Sequence, residues 1–308
     1  MDDRLVVGYD GSQESEVAVR WAATEARTRG SALDVVHVWG LIEPGRTGAG
    51  GSRATVLAHV HAIAEEGVTY AREAAPGVAA RAFVANGPPA PVLVDCAKGA
   101  RTIVLGRHGS GRLSRARLGS VSAGVLHHAP CPVAVVPDQI RVHLSQAPVV
   151  VGFDGSPGAF GALEAACDHA RVHGVDVTVV TAWTTTGDVF SVPYWVSAYP
   201  SRSPTEVALE EAERVSRRAE HWAGSRHDVS FTFEVVEGRP ADALVRRSRR
   251  AAVVVVGTRG RGGFTSLMLG STSHALVQRA TCPVIVTRLT LPSRPVDAPI
   301  EVHELTPA

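Results

Sequence analysis

The sequence predicts an α/β protein built as two tandem copies of one domain, each a mostly parallel five-stranded sheet covered by helices on both faces. Three observations predict this. The chain repeats itself: Leu5-Val-Val-Gly8-Tyr-Asp10-Gly-Ser12 returns as Val149-Val-Val-Gly152-Phe-Asp154-Gly-Ser156, at an offset of 144. Within each copy, short β-branched runs alternate with longer helical stretches, as right-handed βαβ units require. Between a strand and a helix, both copies also carry the same glycine spacing. Gly106 and Gly109 precede Gly119–Ser120 by a nine-residue spacer, and Gly257 and Gly260 precede Gly270–Ser271 in the same way.

Each copy opens on a β-branched strand that ends in Asp-Gly-Ser. The serine, Ser12 or Ser156, is a good helix N-cap, and Pro157 adds a favoured first helical residue in the second copy. The first helices place Val17, Val19, Trp21 and Ala22, and Leu163, Ala166, Cys167 and Ala170, on their apolar faces. Second strands follow at Leu33–Trp39 and Val175–Trp183, still at the offset of 144. Irregular stretches, Gly40–Gly51 and Thr184–Arg202, lead into long helices. The second of these starts at Ser203-Pro-Thr-Glu206, a capping box with proline at its first position. A third strand alternates Val229, Phe231, Phe233 and Val235 against Ser230, Thr232 and Glu234, and its counterpart lies around Val78–Val84. Gly87-Pro-Pro-Ala and Gly238-Arg-Pro-Ala each open a third helix. By the fourth strands, Ala100–Leu105 and Val253–Val256, the offset has grown to 151, so the second copy holds seven extra residues. Cys131-Pro-Val and Cys282-Pro-Val begin the fifth strands. The domains are expected at 1–140 and 147–290, with a proline-rich, loosely attached tail over 291–308.

Composition narrows the function classes. A hydrophobic share of 45% and a charged share of 20% describe a globular chain, and a net charge of +1 gives no bulk attraction to nucleic acid or an anionic membrane. No apolar run approaches the ~20 residues of a membrane helix. Four scattered cysteines and no basic-then-apolar leader suit a reducing cytoplasm. Thirteen histidines invite a metal reading, but His59 and His61 point to different helix faces and His127 and His128 are adjacent, so no all-protein metal site is expected. Arg246, Arg247, Arg249 and Arg250 read as a solvated helix end, and Cys131 and Cys282, at matching places, as packing residues.

The glycine segments carry the chemistry. A strand, a glycine-rich loop and a helix N-terminus form an anion cradle: glycine lets backbone approach a phosphate, and unpaired N–H groups and the helix dipole favour negative charge. The competing reading is of structural turns packing helix on strand; duplication at identical spacing favours the cradle.

The glycine pattern, the aspartate ending the first strand and the closing Cys-Pro-Val strand together resemble the universal stress protein family. The resemblance covers both copies, in the tandem two-domain form and of the ATP-binding type. It implies Rossmann-like domains with strand order 3-2-1-4-5, a pairing of the halves through their fifth strands as an internal pseudo-dimer, room for a further homodimer, and a protein partner that it does not name. It further implies an ATP site in one or both halves. Carried over, Gly8, Tyr9 and Asp10 face adenine and ribose and Val38 contacts adenine. Gly106, His108 and Gly109 line the phosphates from one side, and Gly119, Ser120, Val121 and Ser122 from the other. The second copy's equivalents are Gly152, Phe153, Asp154, Ala182, Gly257, Arg259, Gly260, Gly270, Ser271, Thr272 and Ser273. In an open α/β sheet these strand ends flank the crevice where the winding reverses. Arg112, Arg115 and Arg117 enrich the first spacer, whereas Ala182 and the largely uncharged second spacer predict a different or weaker second site.

Asp10 and Asp154 have two readings, as caps of the following turn or as ligands of a ribose hydroxyl or of a magnesium ion that bridges phosphates. The aromatic insert with Phe190, Tyr194, Trp195 and Tyr199 reads as a lid or a docking surface. No catalytic residues are assigned. The chain has no Walker or kinase signature and no nucleophile elbow. The leading expectation is an ATP-binding regulatory stress protein. A slow ATPase, an enzyme phosphorylating itself at Ser120 or Ser122, and a nucleotide-free interaction scaffold are the alternatives.

Overall fold

The computed structural model describes residues 3–40, 53–110, 118–140, 146–185, 203–224, 226–260, 269–288 and 302–304. The chain forms two compact units, Met1–Ile140 with Thr290–Ala308, and Arg141–Leu289. The spacer arginines Arg112, Arg115 and Arg117, most of the second spacer and the aromatic insert lie outside the described residues.

The first unit runs β1 (Arg4–Gly8), α1 (Gln13–Arg29), β2 (Ala32–Trp39), α2 (Arg53–Ala74), β3 (Ala79–Asn86), α3 (Pro89–Cys96), β4 (Thr102–Gly106), α4 (Ser120–His128) and β5 (Val133–Val136). The second runs β6 (Val149–Gly152), α5 (Pro157–His173), β7 (Val177–Trp183), α6 (Pro204–Ala223), β8 (Phe231–Glu237), α7 (Pro240–Arg247), a short 3₁₀ turn at Ser248–Arg250, β9 (Val253–Gly257), α8 (Ser271–Arg279) and β10 (Val284–Thr287). Within each unit the parallel strands lie in the expected 3-2-1-4-5 order: β3-β2-β1-β4-β5, and β8-β7-β6-β9-β10. One strand is added to that pattern. Val302–Glu304, inside the expected tail, forms β11 and pairs antiparallel with β3, Val302 opposite Ala85 and Glu304 opposite Phe83.

The apolar runs become buried strands because helices cover both faces of each sheet. α1 packs beside α2 on one face and α3 beside α4 on the other. Leu5, Val6, Val7, Leu33, Ile103 and Val104 are inaccessible to solvent, as are Val149, Val151 and Val253 to Val255, or nearly so. Ser12 and Ser156 cap α1 and α5, accepting from the amides of Ser15 and Ala159. Ser203 and Glu206 form the capping box of α6. On α1 the buried stripe is Ala18, Val19, Ala22, Ala23 and Ala26, while Val17 and Trp21 sit half-buried beside it. The expected apolar face of β8 is only half-buried, since β8 is the edge of its sheet.

Two strand carboxylates are held by arginines, and the first of them, not singled out by the sequence, breaks an apolar run. Asp34 on β2, only 4% exposed, accepts from Arg4 (2.7 Å) and Arg81 (3.1 Å). Arg4 also donates to the carbonyls of Cys96 and Lys98, holding the end of α3 on the sheet. Glu234 on β8 is held by Arg247. Cys131 and Cys282 are buried free thiols, and burial pushes the Cys131 thiol up to about 11.

Deleting residues 291–308 should speed amide exchange across Phe83–Ala85 and leave β8 unchanged, because only β3 loses a pairing strand. Hydrogen exchange read by mass spectrometry checks this, and unchanged exchange at 83–85 would refute the β11 pairing. Ile103→Ala, a fully buried deletion in β4, should cost about 2–5 kcal/mol in urea unfolding.

Candidate functional site

The turn after β1 is where the site begins. The chain leaves Gly8, passes Tyr9 and Asp10, and turns at Gly11, whose φ of +81° only glycine adopts without strain. Asp10 Oδ1 accepts from the Ser12 amide (3.1 Å) and the Ser12 hydroxyl (2.6 Å). Oδ2 reaches across to the loop after β4 and accepts from the Ser110 amide at 2.8 Å. Partial loss of solvent works against the charged carboxylate, but the bonds from Ser12, Ser110 and Ser15 outweigh it and hold Asp10 below the usual carboxylate range. In the second unit, Asp154 accepts from the Ser156 amide at 3.0 Å, and Gly155 repeats the positive φ at +77°.

The glycines of each loop divide into two kinds. A Cβ added at Gly106 would stand 2.9 Å from the Glu14 carbonyl oxygen, and one at Gly257 would stand 2.8 Å from the matching carbonyl of Gly158. These first glycines let the start of the first helix lie directly on the end of the fourth strand. A Cβ at Gly109 would stand 2.5 Å from Asp10 Oδ2, and one at Gly260 would collide with Asp154 Oδ2 in the same way. The second glycines make room for the aspartate. At the third glycines the constraint relaxes without vanishing: a Cβ at Gly119 would meet the Arg107 carbonyl at 3.4 Å and the His108 Cα at 3.6 Å, and one at Gly270 the Thr258 carbonyl at 3.3 Å and the Arg259 Cα at 3.7 Å. Crowding below 3 Å therefore accounts for the first two glycines of each loop, whereas the third makes only close backbone contacts.

That third glycine is the N-cap of α4 or α8. The first intrahelical bonds run from Ala123 to Gly119 and from His274 to Gly270, both at 2.9 Å. The amides of Ser120, Val121 and Ser122, and of Ser271, Thr272 and Ser273, thus precede the helical ladder and face the positive end of the dipole. Ser122 and Ser273 are buried, and their hydroxyls donate to the Gly106 and Gly257 carbonyls at 2.8 and 2.7 Å, pinning each helix start to its strand. Ser120 and Ser271 are exposed.

Other expected residues take distinct places. The Tyr9 side chain is 3% exposed, packs edge-on to Tyr70 and donates to Glu66 at 2.9 Å; burial and Glu66 push its hydroxyl pKa up. Phe153 is equally buried, edge-on to Phe160 at 5.0 Å. Both rings are core, so only their backbones border the turn. A Cβ at Gly8 would stand 2.7 Å from Leu105 of β4 and 3.3 Å from Leu93 of α3, and one at Gly152 would stand 2.7 Å from Leu244 of α7. Val38 and Ala182 remain half-buried near the ends of β2 and β7.

His108 does not stand alone. Its Nδ1 lies 3.0 Å from an oxygen of Asp138, just past β5. In the second unit Arg259 takes the histidine's place, and Arg288, just past β10, is pushed down by burial and by the Arg259 charge. Arg218 of α6 lies against Gly155, its guanidinium over the Phe160 ring. Asp138, Arg288 and Arg218 escaped the sequence reading. For the first two a signal existed: strand order 1-4-5 places whatever follows the fifth strand beside the loop after the fourth.

The Universal stress protein family model matches residues 1–137 and 147–288, the two copies in turn. This chain belongs to the universal stress protein family. A universal stress protein of Mycolicibacterium smegmatis is 35% identical over 294 residues, covering 92% of this chain and 96% of that one. One of Mycobacterium tuberculosis is 37% identical over 310 residues, covering 92% and 95%. In fold, this tandem universal stress protein is similar to one of Archaeoglobus fulgidus, with a TM-score of 0.67 at 20% identity over 94% of this chain and 99% of that one. Among the described residues of this universal stress protein, no helix is long and apolar enough to cross a membrane.

Gly109→Ala should lower the melting temperature and Gly119→Ala should leave it nearly unchanged, since only the first methyl displaces a carboxylate; differential scanning calorimetry reads both. Asp10→Asn should cost about 1 kcal/mol at neutral pH. Because the folded carboxyl titrates below its usual value, its contribution is present above about pH 4 and is lost as pH falls through the folded value. The urea midpoints of wild type and Asp10→Asn should therefore converge in acid.

Proposed function

We propose that this universal stress protein is an ATP-binding regulatory protein, with one nucleotide cradle in each half and occupancy biasing its conformation or its partners under stress. The observation that carries the reading is the division among the glycines. Two of each three are crowded below 3 Å by the protein itself, while the third, less crowded at 3.3–3.4 Å, stands beside three amides at a helix start, in both halves. In the first half Gly106, His108 and Gly109 border one side of the cradle and Gly119, Ser120, Val121 and Ser122 the other, with Val38 toward adenine. In the second half Arg259 and Arg288 bring fixed positive charge where the first has a histidine facing Asp138.

A magnesium ion fits the same reading. Asp10, held charged by Ser12, Ser110 and Ser15, is the carboxylate beside the cradle that would serve an ion taking one or two carboxylates and completing its shell with phosphate oxygens and water. The bound ion would neutralise phosphate charge; Asp10 would orient it while keeping the loop closed on the β1 turn.

Support for turnover is thinner. The chain's single lysine, Lys98, follows α3 and pairs with Asp95 at 2.6 Å. With the Ser122 hydroxyl committed to Gly106, Ser120 is the first-half acceptor that self-phosphorylation would use.

Purified protein, heat-denatured and resolved by anion exchange, should release stoichiometric ATP or ADP. Gly119→Val should melt like wild type and lose the first half's share, because its side chain enters the space beside the helix start. An empty supernatant together with no calorimetric heat on adding Mg-ATP would overturn the reading in favour of a nucleotide-free scaffold.

A further inference from the structure

The strand ends opposite the glycine loops hold a second feature in the second unit. A cavity of about 480 Å³ opens there against the sheet, lined by Pro148 and Val150 of the β6 end, Thr178 of β7, Glu234 of β8, and Arg246, Arg247, Arg249 and Arg250 at the end of α7 and the turn beyond it. Four guanidinium groups face one carboxylate. Arg247 and Glu234 satisfy one another: Arg247 donates to Glu234 through Nε at 2.7 Å and through Nη2, and gives its remaining group to the Ala243 carbonyl. Arg246, Arg249 and Arg250 are exposed and have no acidic partner among the described residues.

The first unit supplies an internal control, because the repeat places a groove of about 380 Å³ at the same position, lined by Arg4, Asp34, Val36, Arg81, Phe83, Asp95 and Cys96. There every cation has an internal acceptor: Asp34 takes Arg4 and Arg81, and Asp95 takes Lys98. At the offset of 151, Asp95 is replaced by Arg246, Cys96 by Arg247, Lys98 by Arg249 and Gly99 by Arg250. At the offset of 144, the acceptor Asp34 is replaced by Thr178. The second copy has thus exchanged the acceptors Asp34 and Asp95 for the single acceptor Glu234, at the place of Phe83, and moved its donors from Arg4 and Arg81 to the cluster Arg246, Arg247, Arg249 and Arg250. Helix-dipole complementarity explains basic residues in the last turn of α7, Arg246 and Arg247. It does not explain Arg249 and Arg250, which lie beyond the helix, nor the apolar floor of Pro148 and Val150.

We propose that this groove is a docking site for an acidic peptide segment of a partner protein, its carboxylates taken by Arg246, Arg249 and Arg250 and an apolar side chain seated on half-buried Pro148. Carboxylate is the chemistry that the groove already accommodates, in the Arg247–Glu234 pair, and Arg forks match it well. The groove sits at a helix C-terminus, whose carbonyls oppose the concentrated charge of a phosphate but tolerate single carboxylates spread across three guanidiniums. The patch is one short cluster in a chain of net charge +1, without interleaved aromatic residues, which argues against a nucleic-acid footprint. The site is independent of the nucleotide reading, lying at the other ends of the strands.

The test is fluorescence anisotropy on the full-length protein with a labelled peptide of alternating glutamate and valine. Saturable binding is expected, weakening with added salt. It should fall roughly tenfold or more in the Arg246→Gln/Arg249→Gln/Arg250→Gln protein and persist in Gly119→Val, whatever becomes of nucleotide binding there. The three arginines are exposed, so the triple variant should melt like wild type; Arg249→Gln alone, in the same titration, serves if it does not. No saturable binding, or equal binding by the triple variant, would overturn the proposal. So would a single-stranded oligonucleotide that binds more tightly than the peptide and is lost in the same variant.

Discussion

In the first half, one carboxylate holds two strand ends together. Asp10 belongs to the turn after β1 and bonds to an amide in the loop after β4, and these are the neighbouring strands at which the winding of the sheet reverses. His108 ties the same loop to Asp138 beyond β5, and the Asp10 bond ties it to β1. With it, the loop, the β1 turn and the cap of α1 form one hydrogen-bonded unit, and the start of α4 is presented against a fixed rim. The cost of this arrangement is borne by residue choice. The carboxylate occupies the space where any side chain at Gly109 would begin, and Asp154 does the same to Gly260.

The glycine motif consequently has two physical origins. Its first part answers to the interior of the protein, since helix backbone and carboxylate lie where Cβ atoms would be. Its last part is less crowded and caps a helix start, where three amides precede the hydrogen-bonded ladder. A reading that assigns the whole motif to phosphate, or the whole to turn geometry, misses this division.

Much of the architecture was legible in the sequence because the chain states it twice. Aligning the copies located every parallel strand within a residue or two, and the seven-residue difference between the offsets marked the insert before α6. The N-caps and the capping box were readable because their chemistry is local. What escaped depends on pairing across the sheet. Asp138 meets His108 only because β5 lies beside β4, and Arg218 approaches Gly155 from a helix distant in sequence. Asp34 passed unnoticed inside an apolar strand because its two arginine partners come from β1 and β3. Tyr9 and Phe153 are expected at the nucleotide by their position, but alternation along the strand turns both rings into the core, so their resemblance-derived role reduces to backbone. The tail was read from its prolines as loosely attached, and composition gave no sign that three of its residues would find the edge of β3.

The strand contributed by the tail makes the first unit discontinuous in sequence, with the whole of the second inserted between its fifth strand and its last. During synthesis, β3 emerges early and waits for its outer neighbour until all of residues 141–289 have been made. Until then the edge of β3 is bare, and the pairing with β11 can form only once the whole chain is made. Cutting the gene between the copies, the obvious way to study each alone, would yield a first half that never forms this pairing and a second half that carries a strand belonging elsewhere.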